Sequence, residues 1–257
     1  MKIVTANLAG GHPGIADRLP GIARRLAEGR RPDMMALQEV VVAPVGESGA
    51  AEEVSWRLGA QMGGSYGTYF KPTHLAYGKT PEGVSVYHAG AKRLGAFVTD
   101  LNADLGGLKA LFPRSAVTLL LEHEGQRYLM TSLHLEPDRN GAPGSGRPVR
   151  ERQLRTLLSA LAPLHTADVR ASIVAGDFND DPDSGIFSVA AEHGYRDAFY
   201  GEPKQSRASF FGSQGNSPGN AIDHVMVKGA VPVVGRRLIF DRQLSDHAFL
   251  EVELQAP

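Results

Sequence analysis

Polar residues able to hold a metal or move a proton recur in this sequence where apolar strands stop. Asn7 closes KIVTAN, Glu39 closes MMALQE, and His134 lies in LMTSLHL. Asp177 and Asn179 close SIVAGDFN, Asp223 and His224 lie in AIDHVMV, and Asp246 and His247 lie in LSDHAFL. A carboxylate or imidazole at such a position is desolvated unless something pairs with it. Repetition of the pattern at six strand ends implies one shared polar site at the mouth of the sheets. Carboxylates and amides suit a hard cation such as Mg²⁺ or Mn²⁺. Such an ion can hold a phosphoryl oxygen and neutralise developing charge. An Asp can orient or deprotonate water, and a His steered by a second Asp can stabilise or protonate phosphate oxygens. Phosphoryl chemistry rests chiefly on placement and charge stabilisation, and this set supplies both.

The 257 residues are 42% hydrophobic and 21% charged, an ordinary globular composition expected to fold as a single domain over residues 1–257. There are no cysteines, which excludes disulfides, thiolate metal sites and a cysteine nucleophile. Any metal must be held by oxygen or imidazole. The opening MKIVTANLAGG is too short and too broken for a signal peptide, and no stretch reaches the length of a membrane span. A cytoplasmic location is the expectation. The formal net charge of −1 does not favour a long nucleic-acid footprint, although a local basic groove stays open as an alternative.

The elements that must position these residues follow from periodicity. Ile15, Leu19, Ile22 and Leu26 predict an amphipathic helix over 13–29, ended by Gly29 and Pro32. Residues 51–59 read as helical. Val149, Leu154, Leu157, Leu158 and Leu161 predict a helix over 149–162, and a short one covers Ser184 to His193. Strands are predicted at MMALQEV, GVSVYH, LGAFVT, AVTLLLEH, RYLMTSLHL, ASIVAGDFN, AIDHVMV, RRLIF and FLEVEL, with EGQ as a hairpin turn. Gly46 to Ala51, Asn140 to Gly146 and Gly212 to Asn220 read as Gly-rich loops. Hairpin strands and helix-linked strands alternate, which a doubly wound sheet would not do. The expected fold class is α/β, with two packed mixed β-sheets flanked by helices.

Asn7, LQE ending at Glu39, SLHL around His134, GDFN at 177–179, IDH at 222–224 and SDH at 245–247 together resemble the endonuclease/exonuclease/phosphatase superfamily. That family includes deoxyribonuclease I, abasic-site endonucleases, neutral sphingomyelinases, deadenylases, inositol polyphosphate phosphatases and tyrosyl-DNA phosphodiesterases. The likeness runs from residue 3 to about residue 253 and implies a four-layer α/β sandwich. It implies Glu39 as principal metal ligand with Asn7 beside it, and Asp246 near the metal or its waters. Asp177 would orient or activate the attacking water, and Asn179 would hold a phosphate oxygen. His247 would contact the phosphate, oriented by Asp223, and His134 would contact it as well. Arg114, in FPRSAV, resembles a phosphate-facing arginine. Ser209, in ASFFG, stands where the family often has Thr or Ser before an aromatic residue and would bind substrate.

Other polar residues are given structural readings. His224 follows Asp223 on a strand and should face the other way. His12, His74, His88, His123, His165 and His193 read as surface or loop residues, with His74 and Tyr77 as an alternative substrate wall. Asp180, Asp181 and Asp183 read as a solvated turn bent by Pro182. Arg150, Arg152 and Arg155 read as a solvated helix face, and Trp56 as helix packing. Residues 101–115, with Leu105, Leu108, Leu111 and Phe112, read as a short packed helix, or else as an apolar lip able to meet part of a substrate. His134 resembles the deoxyribonuclease, sphingomyelinase and phosphodiesterase branches rather than abasic-site repair. GDFN is followed by DDPD, and the SDH lacks the Trp-Cys-Asp-Arg run that marks inositol phosphatases. The expected function is a Mg²⁺- or Mn²⁺-dependent hydrolase of a phosphoester substrate, a diester ahead of a monoester. A small metabolite or nucleotide substrate is the alternative. A catalysis-free binding protein ranks below both, because Glu39, Asp177 and His247 are all present.

Overall fold

KIVTAN forms strand β1 (Lys2–Asn7), and every residue of it is buried. A strand without polar–apolar alternation needs cover on both faces. Ile3 packs between two sheets, while Val4 and Ala6 pack against helices. The computed structural model describes residues 1–12, 14–44, 51–76, 79–139, 142–212 and 219–255. Tyr77, the Gly-rich segment 46–50, and 140–141 and 213–218 of the other two loops lie outside the described residues.

After β1 come α1 (Ile15–Leu26), β2 (Met34–Pro44), β3 (Ala51–Glu53) and α2 (Val54–Met62). Then follow β4 (Tyr66–Ala76), β5 (Thr80–Ala89), β6 (Lys92–Asp100), β7 (Ser115–His123) and β8 (Gln126–His134). The second half holds α3 (Arg147–Leu161), β9 (Val169–Asp177), α4 (Gly185–Glu192) and β10 (Arg196–Asp197). It closes with β11 (Asp223–Lys228), β12 (Val233–Ile239) and β13 (Phe249–Leu254). One sheet has the order β12-β13-β1-β2-β5-β4, with β3 paired to β2, and the other the order β10-β11-β9-β8-β7-β6. Pairs β1–β2 and β8–β9 are parallel inside otherwise antiparallel ladders, so both sheets are mixed.

Three apolar clusters make the layers. Ile3, Met34 and Val86 of the first sheet meet Leu119, Met130, Ile173 and Val225 of the second. Leu19, Ile22, Leu26 and Leu58 of α1 and α2 cover Met35 and Leu37 on the outside of the first sheet. Leu154, Leu157, Leu161 and Val189 of α3 and α4 cover Leu133, Val174 and Met226 on the outside of the second. Each such Leu or Ile contributes about 1.5–3 kcal/mol relative to exposure. The result is the four-layer sandwich of two mixed sheets flanked by helices. Among the described residues no helix is long and apolar enough to cross a membrane.

Three elements differ from the sequence-based expectation. The first is β4, which the pattern does not announce. It is a half-exposed edge strand carrying Pro72 beside a register shift, where a missing N–H does least harm. The second is the start of α2, delayed to Val54 because the Glu53 side chain accepts the Ser55 N–H at 2.6 Å and caps it. Ala51–Glu53 pair instead with β2. Trp56, expected to pack, is 52% exposed, its ring tilted against that of Tyr66 with centroids 5.0 Å apart. The third is 101–114, which forms turns rather than a helix. Leu108, Leu111 and Phe112 stay exposed there, so the segment is not the packed helix and presents apolar surface instead. It is tied down by polar groups: Asn102 Nδ2 donates to Phe112 O at 2.9 Å, and Gln153 of α3 donates to Asn102 Oδ1 at 2.8 Å.

Candidate active site

His134, Asp177 and Asp223 form one transverse row across the second sheet. His134 pairs with Asp177 between β8 and β9, and Asp177 pairs with Asp223 between β9 and β11. Paired residues on neighbouring strands send their side chains to the same face. The first sheet brings Asn7, at the end of β1, and Glu39 on β2. Between Leu37 and Val40 the β2–β5 register slips, so Gln38 and Glu39 together oppose Val84. This bulge frees Glu39 from the ladder with φ 50, a backbone conformation that costs about 1–3 kcal/mol and concentrates at functional sites. Leu8 N and Gly10 N donate to Gln38 O and Glu39 O at 3.0 and 3.1 Å and hold the bulge. Gly10 is required by this approach, since a Cβ there would stand 2.0 Å from Glu39 O.

Hydrogen bonds join the two halves. Asn7 Nδ2 donates to Glu39 Oε1 at 3.1 Å and to Asp177 Oδ2 at 3.2 Å, while its Oδ1 accepts the Ala9 N–H at 3.0 Å. Asn7 thus lies beside Glu39, as expected, but turns its nitrogen rather than its oxygen to the carboxylates. Asp177 Oδ1 accepts the N–H of Asn179 at 2.8 Å, and Asn179 Nδ2 donates to Leu135 O at 3.0 Å from a left-handed backbone, φ 53. His247 Nδ1 donates to Asp223 Oδ2 at 2.8 Å. That leaves His247 Nε2 3.9 Å from Asp177 Oδ2, which His134 Nε2 approaches to 3.5 Å. Phe210 packs on the His247 ring, centroids 4.8 Å apart.

Burial raises Asp177 to about 7, and Asp223 adds to the rise, while His247 and the Asn179 N–H oppose it. For His247 burial acts downward, but the charge and hydrogen bond of Asp223, with Asp177 and Glu39, outweigh it and lift the imidazolium to about 10. His134 goes the other way, well below the usual range, through burial and the nearby Arg114, His247 and His74. Glu39 is raised by burial, Glu82 and Asp246 against the pull of His247 and Asn7. At neutral pH the site therefore holds one charged and one neutral imidazole. Asp177, Asp223 and His247 also each bring a ligating atom within 4.8 Å of the others, close enough to hold a metal ion.

Glu39, Arg114, His134, Asp177, Asn179, Asp246 and His247 line one cavity of about 500 Å³. Arg114 is 4% exposed, and among the described residues its guanidinium has no hydrogen bond and no ion pair, with Nε buried and unpartnered. Burial lowers its pKa, with Asp177 and Glu136 acting against that. Asn7 and Asp223 stand behind the wall. Ser209 is not on it, which corrects the substrate-binding expectation. Its Oγ accepts the N–H groups of Ile222 and Asp223 at 3.2 and 3.0 Å, so it braces the strand that carries Asp223, and its neighbour Phe210 faces the cavity instead.

Sequence reasoning missed Glu82, gave His12 a surface reading and gave His74 a surface or loop reading with a substrate wall as the alternative; all three line the cavity. Glu82 Oε1 lies 3.2 Å from His74 Nε2, and Phe112 packs on the His74 ring at 5.1 Å. Glu82 opens the apolar run GVSVYH, the same signal that marked the other sites, at a strand's start instead of its end.

Two further corrections lie behind the site. Arg150 is not solvated but 1% exposed, and Asp180 is buried with it. Arg150 Nε donates to Asp180 Oδ2 at 3.0 Å and Nη1 to Asp138 Oδ1 at 2.8 Å and Glu136 O at 3.0 Å. Arg152 and Arg155 are exposed as expected. His224 faces away from the site, buried, with Nε2 2.8 Å from Asp180 O. This clasp fixes Asp180, the residue that follows Asn179. Arg150→Met removes the buried one of the two cations on Asp180, leaving it the exposed Arg147 at 3.2 Å, and is expected to cost about 2–3 kcal/mol in urea unfolding. An unchanged midpoint would show that the clasp carries no stability.

The sequence matches the model of the Endonuclease/Exonuclease/phosphatase family over residues 4–247. No curated protein is similar enough in sequence to count as a match. Among solved structures, an endonuclease/exonuclease/phosphatase family protein from Leptotrichia buccalis is similar with a TM-score of 0.77 at 20% identity, covering 100% of both chains. A humanized D. rerio TDP2 is similar with a TM-score of 0.75 at 18% identity, covering 100% of this chain and 99% of that one. A mannosyl-6-phosphatase of Bacteroides thetaiotaomicron is similar with a TM-score of 0.72 at 16% identity, covering 100% of both chains.

Proposed function

Because this chain belongs to the endonuclease/exonuclease/phosphatase family, we propose that it is a divalent-metal-dependent phosphoester hydrolase that acts on phosphodiesters. The observation that carries the reading is Arg114. A buried guanidinium with no hydrogen-bond or ion-pair partner among the described residues is unstable unless an anion completes it. A phosphoryl group is the anion whose geometry a guanidinium fits best. Around that position stand a raised carboxylate, a charged imidazole and a neutral one.

In this reading Asp177 accepts the proton of the attacking water. Its buried carboxylate is a stronger base than a solvated one, and Asn7 and Asn179 hold both its oxygens in place. His247, its ring fixed by Asp223, presents a charged Nε2–H to the phosphoryl oxygens as negative charge grows on them. His134 is neutral and donates a hydrogen bond without competing for the base's proton. Asn179 keeps one amide hydrogen free of Leu135 for a phosphoryl oxygen. Arg114 completes the anion cradle.

Glu39, with Asp246 near it, would hold the cation. Glu39, Glu82 and Asp246 crowd like charge into one corner of the cavity, and this donor set of oxygens fits Mg²⁺ or Mn²⁺. When bound there the ion supplies charge neutralisation at the phosphoryl oxygens. The trio of Asp177, Asp223 and His247 is the weaker ligand set, since a ligating imidazole must give up the proton that His247 keeps to about pH 10. A small phosphoester, a monoester included, is the second reading, favoured over a polynucleotide by the net charge of −1. Activity nearly independent of salt would support it.

The test is hydrolysis of bis-p-nitrophenyl phosphate and p-nitrophenyl phosphate with Mg²⁺, with Mn²⁺ and with chelator. Metal-dependent release is expected, with the diester ahead. Glu39→Gln is expected to weaken metal binding at least tenfold in calorimetry, whereas His247→Ala leaves it within about twofold. The reverse ranking would move the cation to the Asp–Asp–His group, and no metal binding at all would remove the metal from the reading.

A further inference from the structure

The cavity that holds the candidate site continues past Asp246. A second cavity of about 200 Å³ shares two wall residues with it, His12 and Asp246, and is otherwise walled in part by Ala9, Arg18, Arg242 and Leu244. Arg18 is half-buried. It donates through Nη1 to Leu8 O at 3.1 Å and to Leu244 O, and through Nη2 to Ala9 O at 2.8 Å. A guanidinium has five N–H donors, so Nε–H and one Nη2–H remain uncommitted. Arg242 is exposed, and among the described residues it makes no ion pair and no hydrogen bond. The second cavity thus offers two guanidinium groups against the one carboxylate, Asp246, that it shares with the first.

Part of the unshared lining of the first cavity has another character. Leu75, Phe112, Phe210 and Ile222 are apolar or aromatic, and Leu75 and Phe112 are exposed at its rim. A substrate that extends beyond its scissile phosphate therefore meets apolar surface on that wall and cationic surface past Asp246. No residue assigned to the hydrolysis explains Arg242, and Arg18 has two N–H groups beyond the three that its carbonyls take among the described residues.

We propose that the Arg18–Arg242 cavity is a second anion subsite, which receives another phosphoryl group of the same substrate molecule. The proposal rests on the hydrolase reading of the first cavity and gives it a substrate class: phosphodiesters that carry a further phosphate a short linker away from the bond that is cut. Guanidinium recognises phosphate through charge-assisted, often paired hydrogen bonds. A partly exposed contact of this kind is worth about tenfold in affinity at low salt.

Three p-nitrophenyl esters of thymidine 5′-phosphate test it, with a 3′-hydroxyl, a 3′-phosphate and a 3′-(methyl phosphate). The quantity read is the ratio of kcat/KM between esters within each protein, so that a general loss in a variant cancels. The expected ratio of 3′-phosphate to 3′-hydroxyl is about ten in the wild type and under two in Arg242→Glu. A wild-type ratio near one, or one that Arg242→Glu leaves at ten, overturns the subsite. A methyl phosphate as good as the free phosphate identifies a backbone-type anion, and preference for the free phosphate identifies a small bisphosphorylated molecule. If the wild type cleaves none of the esters, the hydrolase reading fails by itself. Calorimetry with thymidine 3′,5′-bisphosphate then decides the subsite: about tenfold weaker binding to Arg242→Glu supports it, and equal binding overturns it.

Discussion

Asp177→Asn is expected to lower turnover by about 10⁴-fold, the upper end of what a positioned general base supplies, and to make the metal-free protein more stable above neutral pH. Both effects follow from the burial of Asp177 in the row between His134 and Asp223, which raises its pKa from 3.8 to about 7. A folded pKa above the unfolded one means that the folded state holds the proton more tightly. The ionised form therefore costs stability, beginning above pH 3.8 and reaching its full size once the pH has passed about 7. A rise of that size corresponds to about 4 kcal/mol. Asn cannot ionise and avoids that cost, although it loses one of the two donors that face it and removes an anion from beside His247. A net gain of about 1–2 kcal/mol at pH 8, vanishing by pH 4, is the expected result of urea unfolding in chelator. Loss of both turnover and stability at pH 8 would mean that Asp177 is a structural acid, satisfied by its neighbours, and not a base held ready.

The strand-end pattern in the sequence exposed most of this site because of how a mixed sheet is built. An apolar run that stops at a carboxylate, amide or imidazole marks where a buried strand reaches the open edge of the sandwich. β1, β8, β9 and β11 all place such a residue at one end, at Asn7, His134, Asp177 and Asp223. What one-dimensional reading lacked was register. It could not show that His134, Asp177 and Asp223 share one row, or that Glu39 reaches the site through a bulge with φ 50. Residues whose partners are remote in sequence were misread for the same reason. Arg150 looks solvated on a helix full of arginines until Asp180, 30 residues on, is placed against it. Ser209 follows the family pattern but spends its hydroxyl on the backbone of β11. The half-exposed β4, broken by Pro72, has neither the alternation nor the continuous apolar run that announces a strand, so His74 reads as a loop residue and its pairing with Glu82 is not visible in the sequence.

His247→Ala is expected to reduce kcat by about 10³–10⁴-fold, Asp223→Asn by about 10²–10³-fold, and the double variant by no more than His247→Ala alone. Asp223 stands behind the cavity wall and meets the proposed reaction chiefly through the 2.8 Å hydrogen bond from His247 Nδ1, its charge also adding to the rise of Asp177. That bond does two things. It fixes the ring so that Nε2 faces Asp177, and with the charge of Asp223 it raises the imidazolium to about 10 against the opposing effect of burial. An Asn can still accept the bond, so the ring stays in place, but the charge is gone and burial then acts with less opposition. The pKa must fall. The proposed reaction needs the proton on His247, so activity in the wild type is expected to be lost as pH rises through about 10, and in Asp223→Asn that alkaline limb is expected to move toward neutrality. Proton NMR of the His247 ring in the metal-free protein reads the same change without substrate. Losses that multiply in the double variant would give Asp223 a role of its own, such as holding a metal with Asp177. An unmoved titration would show that the field of Asp177 and Glu39 suffices to keep the ring charged. Dependence of Asp223 on His247, in rate and in titration together, is the behaviour of a pair in which one residue carries the proton and the other holds it there.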